Sequence, residues 1–188
     1  MTTGARPGGW QKKRVDLELD TVAGDGRFSG YASIFGAVDL GRDVIEPGAF
    51  AECLGRRRPG EIRMLFQHDP DQPIGRWTKI REDGRGLFVE GKLALATVRG
   101  REVHELMKSG AVDGLSIGFR TVRASRKGGD GIRRILSADL WEISVVTFPM
   151  QPGARVTSVK HLGGREIAGR SGLAAAIRRA ARAVASRH

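Results

Sequence analysis

Three polar residues interrupt apolar runs where side chains of their kind could do chemistry. His68 ends Met64-Leu65-Phe66-Gln67-His68-Asp69, and Ser116 lies in Gly114-Leu115-Ser116-Ile117-Gly118-Phe119. Glu142 lies in Leu140-Trp141-Glu142-Ile143-Ser144-Val145-Val146-Thr147-Phe148-Pro149. A hydroxyl is a poor nucleophile at neutral pH and needs a base to take its proton. Imidazole, with an ordinary pKa of about 6.5, is the side chain suited to that task. The imidazole in turn needs an acceptor to fix its tautomer and stabilise the imidazolium, and a carboxylate supplies one. Glycines on both sides of Ser116 let a carbonyl carbon approach and leave backbone N–H groups for an oxyanion.

Each residue taken singly also has a plainer explanation. His68 would be a satisfied structural histidine, and Ser116 a serine within a strand rather than at a nucleophile elbow. Glu142 would be an exposed strand carboxylate. Asp69 and Asp139 compete with Glu142 for the carboxylate role, and residue types alone do not choose among them. The remaining histidines, His104 on a helix and His161 and His188 near the end, have no nucleophile beside them. No metal-ligand spacing, phosphate loop or aromatic-studded nucleic-acid face is present, so no cofactor is expected.

The elements that must hold these residues are mostly strands. Val15, Leu17 and Leu19 alternate with Asp16, Glu18 and Asp20, the pattern of a half-buried strand over 14–20. Residues 28–35 return as a second strand after Gly24-Asp25-Gly26. A polar loop over 36–46 leads to Pro47, suited to the first turn of a short helix reaching Leu54. Ile62, Met64, Phe66 and His68 share one face of a strand that Pro70 and Pro73 should end. A hairpin follows over 75–81 and 86–95. The period then changes, and Val98, Val103, His104, Leu106 and Met107 give a helical stripe over 98–108, closed at Gly110. Leu115, Ile117 and Phe119 oppose Ser116, Gly118 and Arg120 on a strand over 115–123. Residues 132–136 and 140–148 read as two more strands, with Val145, Val146 and Phe148 inside the second. Seven or eight short strands and two helices predict a mostly β, α+β fold built as a barrel.

The chain has 188 residues and 40% hydrophobic content, enough for one domain with an appendage and against a wholly disordered chain. Residues 1–11 read as a disordered start, 12–160 as the folded domain and 161–188 as a tail. No apolar run is long enough to span a bilayer, and the first residues have no signal-peptide core, so no membrane partner is expected. A single cysteine, Cys53, excludes internal disulfides and fits a reducing cytoplasm. The net charge is +11. It concentrates in Lys160, Arg165, Arg170, Arg178, Arg179, Arg182 and Arg187 against Glu166 alone. Ala-rich 173–185, after Gly163-Gly164, reads as a basic amphipathic helix suited to an acidic partner.

The ordered set of segments resembles the prohead serine proteases of tailed bacteriophages, a family similar to the herpesvirus assemblins. The resemblance runs over about 14–160. It is carried by Phe28-Ser29-Gly30-Tyr31-Ala32-Ser33-Ile34-Phe35, Asp43-Val44-Ile45-Glu46-Pro47-Gly48-Ala49-Phe50, Leu65-Phe66-Gln67-His68-Asp69 and Pro73-Ile74-Gly75-Arg76, together with the Ser116 and Glu142 segments quoted above. It implies a closed β-barrel of the herpesvirus-protease type ringed by short helices. It also implies a serine endopeptidase that cuts capsid or scaffold segments, and itself, inside assembling proheads in the bacterial cytoplasm. The family's serine maps to Ser116, its histidine to His68 and its acidic residue to Glu142. Gly118 and Arg120 are the expected oxyanion supports. Partners under this reading are the major capsid protein, a scaffold segment and a second copy of the chain, with no specific nucleic acid. Two competing readings are a catalytically silent assembly factor acting through the basic tail and, more weakly, a nucleic-acid-binding protein.

Overall fold

The computed structural model describes residues 24–126 and 131–158. Eight strands and two α-helices follow in chain order: β1 Arg27–Ile34, β2 Asp43–Ile45, α1 Ala51–Arg56, β3 Arg63–Phe66, β4 Asp69–Glu82, β5 Gly86–Leu93, α2 Val98–Lys108, β6 Gly114–Ser125, β7 Arg133–Val146 and β8 Val156–Ser158. A 3-10 turn at Pro59–Glu61 precedes β3. The expected strand over 14–20 and the basic helix over 173–185 lie outside the described residues.

β7 organises the sheet. Along one edge it pairs antiparallel with β6, from Gly114↔Val146 to Ser125↔Arg134. Along the other it pairs in parallel with β2 near its start and with β3 near its end. From β3 the sheet continues through β4, β5 and β1 to β8. The sheet is a curled half-barrel rather than the closed barrel expected from sequence. Its two ends approach at one isolated bridge, Gly114↔Arg155, where Leu115 N–H donates to Ala154 O at 2.9 Å and Val156 N–H to Asp113 O at 2.9 Å. A three-residue β8 is too short to extend that seam into a ladder.

Alternation sends Phe28, Met64, Trp77, Leu115, Ile143 and Val145 into the concave interior. Phe28 meets Trp77 edge-on at 5.5 Å. Burying each of these large side chains contributes about 1.5–3 kcal/mol. α2 is capped by Thr97, whose Oγ1 accepts from Gly100 N–H at 3.0 Å.

Several expectations need correction. β4 runs through Pro70 and Pro73 instead of stopping there. Asp69 and Pro73 face Phe66 and Leu65 across a bulge, the place where a sheet accepts proline. β7 is one 14-residue strand, not two. Gly118 pairs with Glu142 while Phe119 pairs with Leu140, so Trp141 is the extra residue of a bulge that lets the strand continue. Phe148 lies beyond that strand and is 88% exposed. On α2, Val98 and Leu106 face solvent, leaving Val103, His104 and Met107 as the buried stripe. The first helix starts at Ala51, after a turn at Pro47-Gly48.

Candidate active site

The β3–β4 connection is a two-residue hairpin, Gln67-His68, and both residues have positive φ, 57° and 61°. This is the pattern of a type I′ turn, which Asn-Gly normally fills. His68 is therefore not on the face of a strand, as its spacing suggested, but at the tip of a strained turn. Left-handed backbone at a non-glycine residue costs roughly 1–2 kcal/mol. Contacts to β7 hold it. Gln67 N–H donates to Val145 O at 3.0 Å, and Gln67 Nε2 donates to Thr147 Oγ1 at 2.6 Å. His68 N–H donates to Ser144 Oγ at 3.2 Å.

That turn delivers the imidazole to Glu142. His68 Nδ1 lies 2.6 Å from Glu142 Oε1, although the two residues are 74 positions apart. The His68 side chain is 43% exposed and that of Glu142 15%. The hydrogen bond to Glu142, aided by its negative charge, raises the His68 pKa above its ordinary 6.5, and partial burial opposes the shift. With Nδ1 facing the carboxylate, Nε2 is left to accept a proton.

Ser144 is a member that the sequence reading missed. Its hydroxyl donates to Glu142 Oε2 at 2.6 Å while accepting the His68 N–H. One buried side chain thus fixes both the carboxylate and the turn that carries the imidazole. Both of its bonding roles are spent on positioning.

Ser116 stands directly opposite Ser144 in the β6–β7 ladder. Side chains at directly opposed positions share a face with Cβ atoms about 5 Å apart, so Ser116 faces the same side as Glu142 and Ser144. It is 4% exposed, borders a cavity of about 250 Å³, and its hydroxyl has no hydrogen-bond partner among the described residues. Uncommitted hydroxyls of this kind often tighten onto their base only when substrate binds.

At Gly118, expected as oxyanion support, the structure shows a steric role. A Cβ there would lie 2.2 Å from Glu142 Oε1 and 2.8 Å from its Cδ. The carboxylate crosses β6 only because position 118 has no side chain. Arg120 lies four residues beyond Ser116, about 13 Å along the strand, and its guanidinium is 3.5 Å from Asp139. Asp139 is occupied there. Trp141 Nε1–H, Arg57 and Arg120 hold its carboxyl below the ordinary range, and it does not reach His68. Asp69 caps its own turn by accepting Asp71 N–H at 2.9 Å. Of the three candidate carboxylates, only Glu142 meets the imidazole.

Residues 13–165 match the family described as caudovirus prohead serine protease. The chain is 34% identical over 150 residues to the prohead protease of Enterobacteria phage HK97, covering 76% of this chain and 65% of that protein. It therefore spans slightly less than two-thirds of that relative's length. Among solved structures, the capsid assembly protease of bacteriophage T4 superposes with a TM-score of 0.51 at 10% identity, over 64% of this chain and 80% of the other. The KSHV protease, solved with a hexapeptide phosphonate inhibitor, superposes with a TM-score of 0.49 at 12% identity, over 69% of this chain and 63% of the other. With well over half its length inside the family match, the chain belongs to the caudovirus prohead serine proteases.

Proposed function

We propose that this chain is the serine endopeptidase of prohead maturation, cutting capsid or scaffold segments and itself within the assembling shell in the host cytoplasm. Family membership supports the reaction class. The observation that carries the residue assignment is the His68–Glu142 contact at 2.6 Å beside the strand that holds Ser116. Ser116 Oγ attacks the scissile carbonyl carbon as His68 Nε2 takes its proton. The tetrahedral intermediate collapses, the C–N bond breaks, and His68 returns the proton to the leaving amine. Water, deprotonated by the same imidazole, then releases the acyl group. Glu142 stabilises the imidazolium and fixes its tautomer. In this reading Gly118 makes room for Glu142, and Arg120 pairs with Asp139.

Labelling with a fluorophosphonate tests the assignment. The intact protein should be labelled at Ser116, and Ser116→Ala should lose both the label and cleavage of the co-expressed capsid precursor, by about 10⁴-fold or more. A well-folded Ser116→Ala protein that still cleaves would reject it. An intact protein that neither labels nor cleaves would favour the silent assembly factor.

A further inference from the structure

A row of cations crosses the outer face of the sheet and begins beside the candidate active site. Arg63 on β3 is in register with Arg76 on β4, Arg76 with Lys92 on β5, and Lys92 with Arg27 on β1. On its other side, Arg63 is in register with Glu142. The next residues along these strands, Met64, Trp77 and Phe28, are buried in the core, so alternation turns the four cations outward. Adjacent strands lie about 4.8 Å apart, which puts Arg76 two strands, about 10 Å, from Glu142 and Arg27 four strands, about 19 Å, away.

Like charges directly opposite one another destabilise a sheet. Little in the fold compensates here. Arg63, Arg76 and Lys92 make no ion pair among the described residues. Asp25 holds Arg27 at 3.1 Å, and Glu90, the next outward carboxylate on β5, is engaged by Lys79 at 3.7 Å. The distal half of the row borders a recess of about 460 Å³. The two aromatics beside the row, Phe28 and Trp77, point inward, so it offers no stacking platform of the kind that single-stranded nucleic acid uses.

We propose that this row is the docking track for an acidic segment of the polypeptide substrate, which crosses the strands from Arg27 towards Glu142 and presents its scissile bond at Ser116. The proposal rests on the endopeptidase reading above and names the class of substrate. A track of this kind strengthens binding of substrate and transition state alike. Its loss therefore raises KM for an acidic substrate and leaves kcat in place.

The test uses the full-length Ser116→Ala protein and fluorescein-labelled octaglutamate, read by anisotropy at low salt. Octaglutamate should bind more tightly than octaglutamine, and Arg76→Gln/Lys92→Gln should weaken octaglutamate binding about fivefold. Arg123→Gln/Arg126→Gln removes the same charge at the far end of β6, with the basic tail unchanged, and should leave octaglutamate binding as it was. Thermal melts of each variant establish that the fold is kept. Equal losses in the two double variants would overturn the track, since net charge alone would then account for binding. So would a single-stranded oligonucleotide of equal charge that binds more tightly than octaglutamate and is lost in Arg76→Gln/Lys92→Gln, which would assign the row to nucleic acid. Fluorophosphonate labelling of the protein with Ser116 intact separates the two levels. Labelled protein without the octaglutamate difference overturns the track alone, and unlabelled protein overturns the endopeptidase reading together with it.

Discussion

Substituting Gly118 by alanine adds one methyl group at the most crowded point of the site. The new carbon would sit 2.2 Å from Glu142 Oε1 and 2.8 Å from both Cγ and Cδ. Reaching ordinary contact requires the carboxylate to retreat by roughly 1 Å or more. A glutamate on an open surface would swing away at little cost. This one is held by two 2.6 Å hydrogen bonds, one to His68 and one from Ser144, so the retreat breaks the pairing that orients the imidazole. Misplacement by about 1 Å in a catalytic group costs about 10²-fold, which corresponds to about 2.7 kcal/mol of transition-state stabilisation. We therefore expect Gly118→Ala to lower kcat for a capsid-precursor peptide about 100-fold, with the β6–β7 ladder and the melting temperature little changed. A second readout comes from the His68 Cε1 proton by NMR. Its titration midpoint should fall, because the hydrogen bond to Glu142 is the main cause of its elevation. Unaltered kcat and an unmoved His68 titration in Gly118→Ala would refute the crowding argument.

Ser144→Ala removes the donor to Glu142 and the acceptor for His68 N–H together, so kcat should fall about tenfold and stability by about 1–2 kcal/mol, measured by peptide kinetics and urea unfolding. His68 must be neutral to accept a proton, and Glu142 raises its pKa. The acid limb of kcat/KM should accordingly lie above pH 6.5 and move downward in Glu142→Gln, as a pH–rate profile would show. The stability contribution of charged His68 should be complete below its unfolded value and lost as pH rises through the higher folded value, seen as a narrowing difference from His68→Gln in urea melts. A chain ending at residue 160 should still hydrolyse a peptide but fail to enter particles, and normal packaging of that chain would remove any targeting role for the basic tail.

The chemistry of the site was legible where residue type and period coincide. Ser116 lies on a strand whose alternation is plain, and α2 keeps the expected 98–108 limits because Thr97 and Gly110 mark its ends. His68 was legible as an imidazole belonging to the candidate site but not in its position. Period-two spacing continues from Met64 through His68, and Gln67-His68 has none of the Asn-Gly, Asp-Gly or Gly-Gly pairs that announce a type I′ turn. Their conformation is imposed by Val145, Thr147 and Ser144, which lie far along the chain. Ser144 was hidden for a related reason. Inside an apolar run it reads as a tolerated small residue, and its role exists only once the parallel β3–β7 pairing brings the turn to it. The prolines of β4 and the Trp141 bulge misled because local breaker signals were overridden by pairing with neighbouring strands.

The turn at Gln67-His68 also bears on when the protein can act. A chain made from its N-terminus exposes the histidine well before β7 exists, and by itself the β3–β4 hairpin has nothing to hold its strained tip. The imidazole reaches its working position only after residues 142–147 have been made and have docked alongside β3. A growing or partly folded chain therefore carries His68 without the carboxylate that orients its imidazole. Under the proposed function, hydrolytic competence follows the docking of β7, so no cleavage precedes synthesis of the chain through residue 147.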